Sequence, residues 1–215
     1  NGQETWRATH QLTGNVTVAP GASLIVESGA TIIIPYGKHI DVRGSMCVGS
    51  RLCGAPSDGS AGNPTTFTWT TPSESESLIR GSCYISVDAA CDSGIIIRNT
   101  IDQDKTGLNF VQFNNAFGYE YLYTAGGNPN AKLGALVFDG AKTYANGLVF
   151  NNINTSNILL TDLANPTITS STFTLGVDGN TLGTARANAI DMIGAGAGIS
   201  DPVSISDSTF TGDAQ

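Results

Sequence analysis

From Asn15 to Val42 the chain reads NVTVAPGASLIVESGATIIIPYGKHIDV, and its apolar positions fall in pairs two residues apart: Val16 and Val18, Leu24 and Val26, Ile32 and Ile34, Ile40 and Val42. A spacing of two puts both members of a pair on one face of a strand and turns Thr17, Ile25, Ile33 and Asp41 to the other. The pairs recur every eight residues, at positions 16, 24, 32 and 40, and Gly21, Gly29 and Gly37 keep the same interval. These glycines stand in the turn sequences APG, ESG and PYG, where a residue without Cβ takes the positive φ of a sharp corner.

Strands of about four residues joined by like corners suit a coil wound around its own core. A sandwich of hairpins uses longer strands and loops of varied length. Three sides of eight residues predict a coil of about 24, a repeat length typical of solenoids. Later phenylalanines fall near that pitch: Phe113 and Phe138, in FVQFNNA and ALVFDGA, are 25 apart, and Phe150 and Phe173, in GLVFNN and SSTFTL, are 23 apart. PTITSSTFT from Pro166 and PVSISDSTFT from Pro202 echo each other with 37 residues between Phe173 and Phe210, which predicts one coil plus an insertion containing MIGAGAGIS.

The run NVTVAPGASLIVESGATIII, continued by HIDVRG, resembles the first coils of right-handed parallel β-helix proteins, especially secreted and surface-anchored ones of bacteria and archaea. The resemblance covers positions 13 to 44 and continues more loosely to Phe210. It implies an all-β fold, a right-handed parallel β-helix with three-sided coils, the hand being the usual one for parallel crossovers. It speaks for a location at the cell surface more strongly than for any activity. Residues 1–13, with Trp6 and Leu12, are expected to cap the N-terminal end, because a first coil otherwise exposes its core and strand edges. Residues 14–215 form the β-helix, with insertions near 47–63, 71–93, 117–131 and 192–201. STFTGDAQ stops just after a strand, so the expectation is that the protein continues beyond Gln215 or that this end meets another subunit.

Composition narrows the partners. Apolar residues make up 40% of the 215 and charged ones 13%, beside 26 glycines, which fits a turn-rich all-β chain. A formal charge of -8 opposes binding to nucleic acid or to an anionic membrane surface. Apolar runs of about four residues fall far short of the ~20 needed for a membrane-spanning helix. The opening NGQETWRATHQ lacks the basic and apolar regions of a signal peptide, so a leader has been removed or the chain starts after it.

The four cysteines form two local couples, Cys47 with Cys53 and Cys83 with Cys91. Four cysteines permit three pairings; we expect the local one, in an oxidising compartment, each bridge tying down a loop for roughly 2 kcal/mol. Neither couple has zinc-site spacing, and His10 and His39 stand apart. Asn15 and Asn154 begin N-x-S/T sequons and permit glycosylation.

Catalytic signals are sparse. The resemblance raises polysaccharide cleavage, since many β-helix proteins perform it with clustered carboxylates and a basic residue. Asp88, Asp92, Asp102 and Asp104 lie near Arg98 and Lys105, but no histidine follows His39 and no Asp-Asp or Arg-x-Lys pair occurs. No residue is therefore assigned as catalytic.

DQDKTG matches the start of a calcium loop and makes Asp102 and Asp104 candidate ligands, although Phe113 occupies the place of the acidic residue at loop position twelve, which favours a solvated polar turn. Calcium is thus the one cofactor raised. Tyr119, Tyr121 and Tyr123 alternate in FGYEYLY, as a surface for sugar rings or protein, or as a segment folded over the core. Asn114, Asn115, Asn151 and Asn152 suggest a corner ladder. Thr-x-Thr pairs at 68/70, 167/169 and 172/174 could order water only if repeated on successive coils; scattered, they reflect strand preference.

The resulting expectation is an extracellular structural or adhesive surface protein, a self-assembling filament subunit or a segment of a longer stalk. Its partners would be further copies end to end, or the rest of a parent chain. The alternative is a β-helix that binds or cleaves carbohydrate.

Overall fold

The computed structural model describes residues 2–49, 60–70, 93–99, 105–125, 128–153, 155–162, 164–174, 188–193 and 203–211. The strands follow one another around three sheets. The first coil holds β1 (Gln3–Trp6), β2 (Thr9–Gln11) and β3 (Val16–Val18), and the second β4 (Ser23–Val26), β5 (Thr31–Ile34) and β6 (Ile40–Val42). The third holds β7 (Ser45–Val48), β8 (Thr65–Trp69) and β9 (Ile95–Arg98), and the fourth β10 (Gly107–Asn109), β11 (Val111–Asn114), β12 (Tyr119–Ala125) and β13 (Asn128–Asp139). Then come β14 (Tyr144–Asn146), β15 (Val149–Asn151) and β16 (Ser156–Thr161); β17 (Thr167–Thr169), β18 (Thr172–Thr174) and β19 (Ile190–Met192); and finally β20 (Ser204–Ser206) and β21 (Thr209–Thr211).

Sheet A runs β1-β4-β7-β10-β14-β17-β20, sheet B runs β2-β5-β8-β11-β15-β18-β21, and sheet C runs β3-β6-β9-β13-β16-β19. Every pairing along these paths is parallel, so the chain is a three-sided parallel β-helix. Residues 3–11, expected as a cap ahead of the coils, are rungs themselves: Gln3 pairs with Ser23 and Thr9 with Thr31.

Positions 16, 24, 32 and 40 fall on sheets C, A, B and C again, and Val16 pairs with Ile40 at the predicted interval of 24 residues. Phe150 stacks on Phe173 and Phe173 on Phe210, as their spacing suggested. Phe113 and Phe138 are different: Phe113 lies on sheet B and Phe138 on sheet C. The rung mate of Phe113 is Phe150, 37 residues on, because an antiparallel hairpin of β12 and β13 intervenes within that coil. The insertion near 117–131 is this hairpin, and its second strand runs on into sheet C.

The core consists of columns that climb the bore. On sheet B, Ile32, Phe67, Phe113, Phe150 and Phe173 are all 0% exposed. The rings from Phe67 to Phe210 stack with centroids 4.8–5.9 Å apart. On sheet A the inward column passes through Trp6, Val26, Val48, Leu108, Ala145 and Ile168. Trp6 is buried although it belongs to the first coil: its ring stacks on His10 at 4.5 Å and its indole N–H donates to Glu4 at 2.5 Å.

The A-to-B corner repeats a backbone device. Ala8, Gly29, Phe110, Gly147, Ser170 and Asp207 all have positive φ there, so a single left-handed residue makes the bend whether or not it is glycine. At the next corner Asn115 and Asn152 take φ 58° and 52°, and the Asn152 amide donates to Asn115 at 2.7 Å. The Asn151 amide donates likewise to Asn114 at 2.9 Å, completing the asparagine ladder.

Among the described residues no helix is long and apolar enough to cross a membrane.

Candidate functional site

The outer faces of the three sheets differ. On sheet C the outward column runs Thr17, Asp41, Ile96, Val137, Leu159 and Asp191. Ile96, Val137 and Leu159 are fully buried, with Tyr119 and Ile193 packed on them. Apolar residues on both faces of a strand explain why GIIIR, ALVFD and NILLT read as continuous apolar runs without alternation.

At the edge of this covered patch the structure gathers charge. Asp41 is 4% exposed and takes Arg98 Nε on Oδ1 at 2.8 Å and Arg43 Nη2 on Oδ2 at 2.8 Å. Arg98 Nη1 reaches Asp139 Oδ2 at 2.8 Å, and Nη2 donates to the Tyr119 hydroxyl at 3.4 Å. The Thr161 hydroxyl donates to Asp139 Oδ1 at 3.0 Å. Rung pairing causes this arrangement, since Arg98 and Asp139 are directly opposite on β9 and β13, and Thr161 follows on β16.

Burial pushes the Asp139 carboxyl above its ordinary 3.8, Thr161 and Arg98 pull the other way, and Asp162 adds like charge and a hydrogen bond that raise it. A folded carboxyl held above its unfolded value binds a proton that the unfolded chain has released. Its contribution to stability is therefore greatest at low pH and is lost as pH rises through the folded value. Burial tends to lower Arg98, but its hydrogen bond and charge interaction with Asp41 and the nearby Asp139 raise it overall, so it stays a cation and cannot act as a base. Substituting Asp162→Asn should bring the Asp139 pKa down, which carboxyl-carbon NMR titration would read directly. An unmoved or rising Asp139 titration would contradict the pairing of these two carboxyls.

The segment predicted as an aromatic contact starts here. Tyr119 meets His39 edge-to-face at 5.2 Å, and Phe117 meets Tyr36 in the same way at 5.1 Å, so this stretch folds back onto the corner between β5 and β6. Tyr121 and Tyr123 follow along β12, and their side chains lie outside the described residues.

Asp102, Asp104, Cys53, Cys83, Cys91 and Asn154 also lie outside the described residues. Cys47 is buried on the outer side of β7 and is disulfide-bonded. Asn15 is exposed, and its side-chain oxygen accepts from the His39 backbone N–H at 3.3 Å. Among the described residues no group of three or more His, Cys, Asp or Glu side chains is placed to hold a metal.

Asp41, Asp139 and Asp162 were not singled out from sequence. Aligning the apolar runs by their ends would have revealed part of the cluster: Arg98, Asp139 and Thr161 each directly follow the last inward residue of a sheet C strand.

Sheet B presents the opposite character. One outward column starts with Thr9, Thr31 and Thr66, passes Gln112 and Val149, and ends with Thr172 and Thr209. The other starts with Gln11, Ile33 and Thr68, passes Asn114 and Asn151, and ends with Thr174 and Thr211. None of these side chains is buried and none is charged. The threonine pairs on this face are Thr66/Thr68, Thr172/Thr174 and Thr209/Thr211, whereas Thr167/Thr169 belongs to sheet A and Thr70 lies past the end of β8.

The two ends differ as well. A concavity of about 270 Å³ opens at the first coil between sheets A and C, with Trp6, Val16, Val18 and Leu24 on its wall. On the last described rungs, Ile205, Phe210 and Met192 are 40%, 53% and 51% exposed, although their rung mates Ile168, Phe173 and Leu160 are buried.

No protein-family model matches the chain, and comparisons with curated proteins and with solved structures find no match either.

Proposed function

We propose that the chain is a structural segment of an extracellular filament or stalk, in which the last coil seats a further coil. One observation carries the reading: Ile205, Phe210 and Met192 continue the three inward columns yet stand exposed. Apolar side chains in register with a buried column, on strands whose outer edges pair with no strand among the described residues, are suited to parallel pairing with another rung. The further coil belongs to a second copy in a filament and to the parent chain in a stalk. The disulfide at Cys47 supports the extracellular part of the reading, since such bonds persist in oxidising compartments.

The test is particle mass and shape, by light scattering with electron microscopy. A filament subunit forms rods that lengthen with concentration, and Phe210→Asp returns it to monomers because a carboxylate cannot enter the column. A stalk segment remains single until joined to its neighbouring sequence. A compact monomer that depolymerises a polysaccharide would sink both.

The second reading, carbohydrate binding or cleavage, is favoured by the carboxyl groups of Asp139 and Asp162 beside Arg98. Burial raises the pKa of Asp139, and a carboxyl shifted in that direction is what general acid catalysis on a glycosidic bond uses. Arg98 ties Asp41 and Asp139 together beneath Tyr119, an arrangement that also serves to hold the hairpin down. Release of reducing ends from neutral or acidic polysaccharides, lost in Asp139→Asn, would favour this reading over the first.

A further inference from the structure

We infer that the outer face of sheet B is a docking surface for ordered water, the surface of an ice lattice. Seven parallel rungs about 4.8 Å apart, each offering two outward side chains roughly 6.7 Å apart, make a two-dimensional array with a fixed repeat. Eight of those fourteen positions are threonine, which sets a methyl and a hydroxyl side by side and has few χ1 choices to lose when it is ordered. Behind five of the seven rungs the rings of Phe67, Phe113, Phe150, Phe173 and Phe210 stack with centroids 4.8–5.9 Å apart, so that part of the array is backed by a continuous aromatic layer. In the second column the Asn151 amide donates to Asn114 at 2.9 Å, and the Thr211 hydroxyl donates to the Thr174 oxygen at 3.4 Å.

The chemistry of the face selects its occupant. A charged partner finds no counter-charge there, in a chain whose net charge is -8 and whose sheet C carries Asp41, Arg98, Asp139 and Asp191 outward. A second copy docked on this face needs an apolar centre, and Ile33 and Val149 are the only large apolar side chains, in different columns and three rungs apart. A sugar chain finds no aromatic ring among these positions to stack on. Water in a lattice needs what is present: uncharged donors and acceptors at a regular spacing, with methyl groups between them.

The experiment is partition of the purified chain into ice grown slowly on a cold surface, with the freezing-point gap measured in parallel. Thr68→Lys and Thr174→Lys put a charged, mobile side chain on the face, and Thr167→Lys puts the same side chain outward on sheet A. Circular dichroism and sedimentation establish that each variant keeps the fold and the mass of the parent. The expected result is that the unsubstituted chain and Thr167→Lys enter the ice and shift the freezing point, while the two sheet B variants are excluded. Exclusion of the unsubstituted chain would overturn the inference, as would equal loss in Thr167→Lys. So would a self-association of the parent that Thr174→Lys abolishes, since the face would then belong to a second copy.

Discussion

Replacing Phe113 by alanine should cost about 3–5 kcal/mol of folding stability, the usual range for emptying a fully buried aromatic site. The ring is 0% exposed and lies between Phe67, with centroids 5.9 Å apart, and Phe150, at 4.9 Å. Its neighbours above and below are pinned by their own rungs and cannot move in to fill the gap, so the upper half of the range is expected. Thermal and denaturant unfolding would measure it. A loss below about 1 kcal/mol would mean that the column is loosely packed and that each coil is held by its backbone ladder instead.

Arg98→Met should cost roughly 2–4 kcal/mol near neutral pH, because it keeps most of the side-chain stem and removes the cation shared by two poorly exposed carboxylates. Among the described residues Asp41 keeps Arg43, whereas Asp139 keeps Thr161 and its carboxyl neighbour. The Arg98 side chain is 30% exposed, which holds the expected loss below that of a fully buried pair. Without Arg98 the folded-state pKa of Asp139 moves further above 3.8, so the deficit is full above that pKa and shrinks as pH falls through it. Adding Asp139→Asn to Arg98→Met should recover part of the loss at neutral pH. If the single variant were as stable as the parent at pH 7 and no better at pH 5, the network would carry no structural load.

These two sites differ in how plainly the sequence announces them. Phe150 and Phe173 are rung mates with nothing but a tight coil between them, and the arithmetic of spacing finds them. Phe113 and Phe138 fall close to the same pitch by coincidence, because the hairpin of β12 and β13 displaces one strand and shifts the frame. Spacing counts residues along the chain, and an insertion at one corner changes the count without changing the rung.

The charge cluster is harder to see for a related reason. Asp41 and Arg98 are 57 residues apart, and Arg98 and Asp139 are 41 apart. Their meeting depends on the strand register at β6, β9 and β13, and segments outside any regular beat separate those strands. Sheet B was legible as strands but not as a surface: of the threonine pairs read from spacing only Thr172/Thr174 lies on its outer face, and the register adds Thr66/Thr68 and Thr209/Thr211.

The first coils also show why a regular sequence need not mean an even exterior. Ile25 and Asp41 point outward by the alternation rule and are nonetheless 1% and 4% exposed. Alternation tells which way a side chain points; what covers it there comes from elsewhere in the chain.

The stretch from Tyr144 to Pro166 is one complete circuit free of insertions, returning to sheet A at Thr167 in register. Such a circuit is a unit of length. Its removal or duplication joins sheet A to sheet A, B to B and C to C, and alters the height of the molecule by one strand spacing, about 4.8 Å. The described rungs stack to roughly 29 Å between the first and last strands of sheet A. Lineages that copy or lose circuits could therefore set the reach of this protein in fixed increments, like divisions on a ruler, while each side keeps the chemistry it presents.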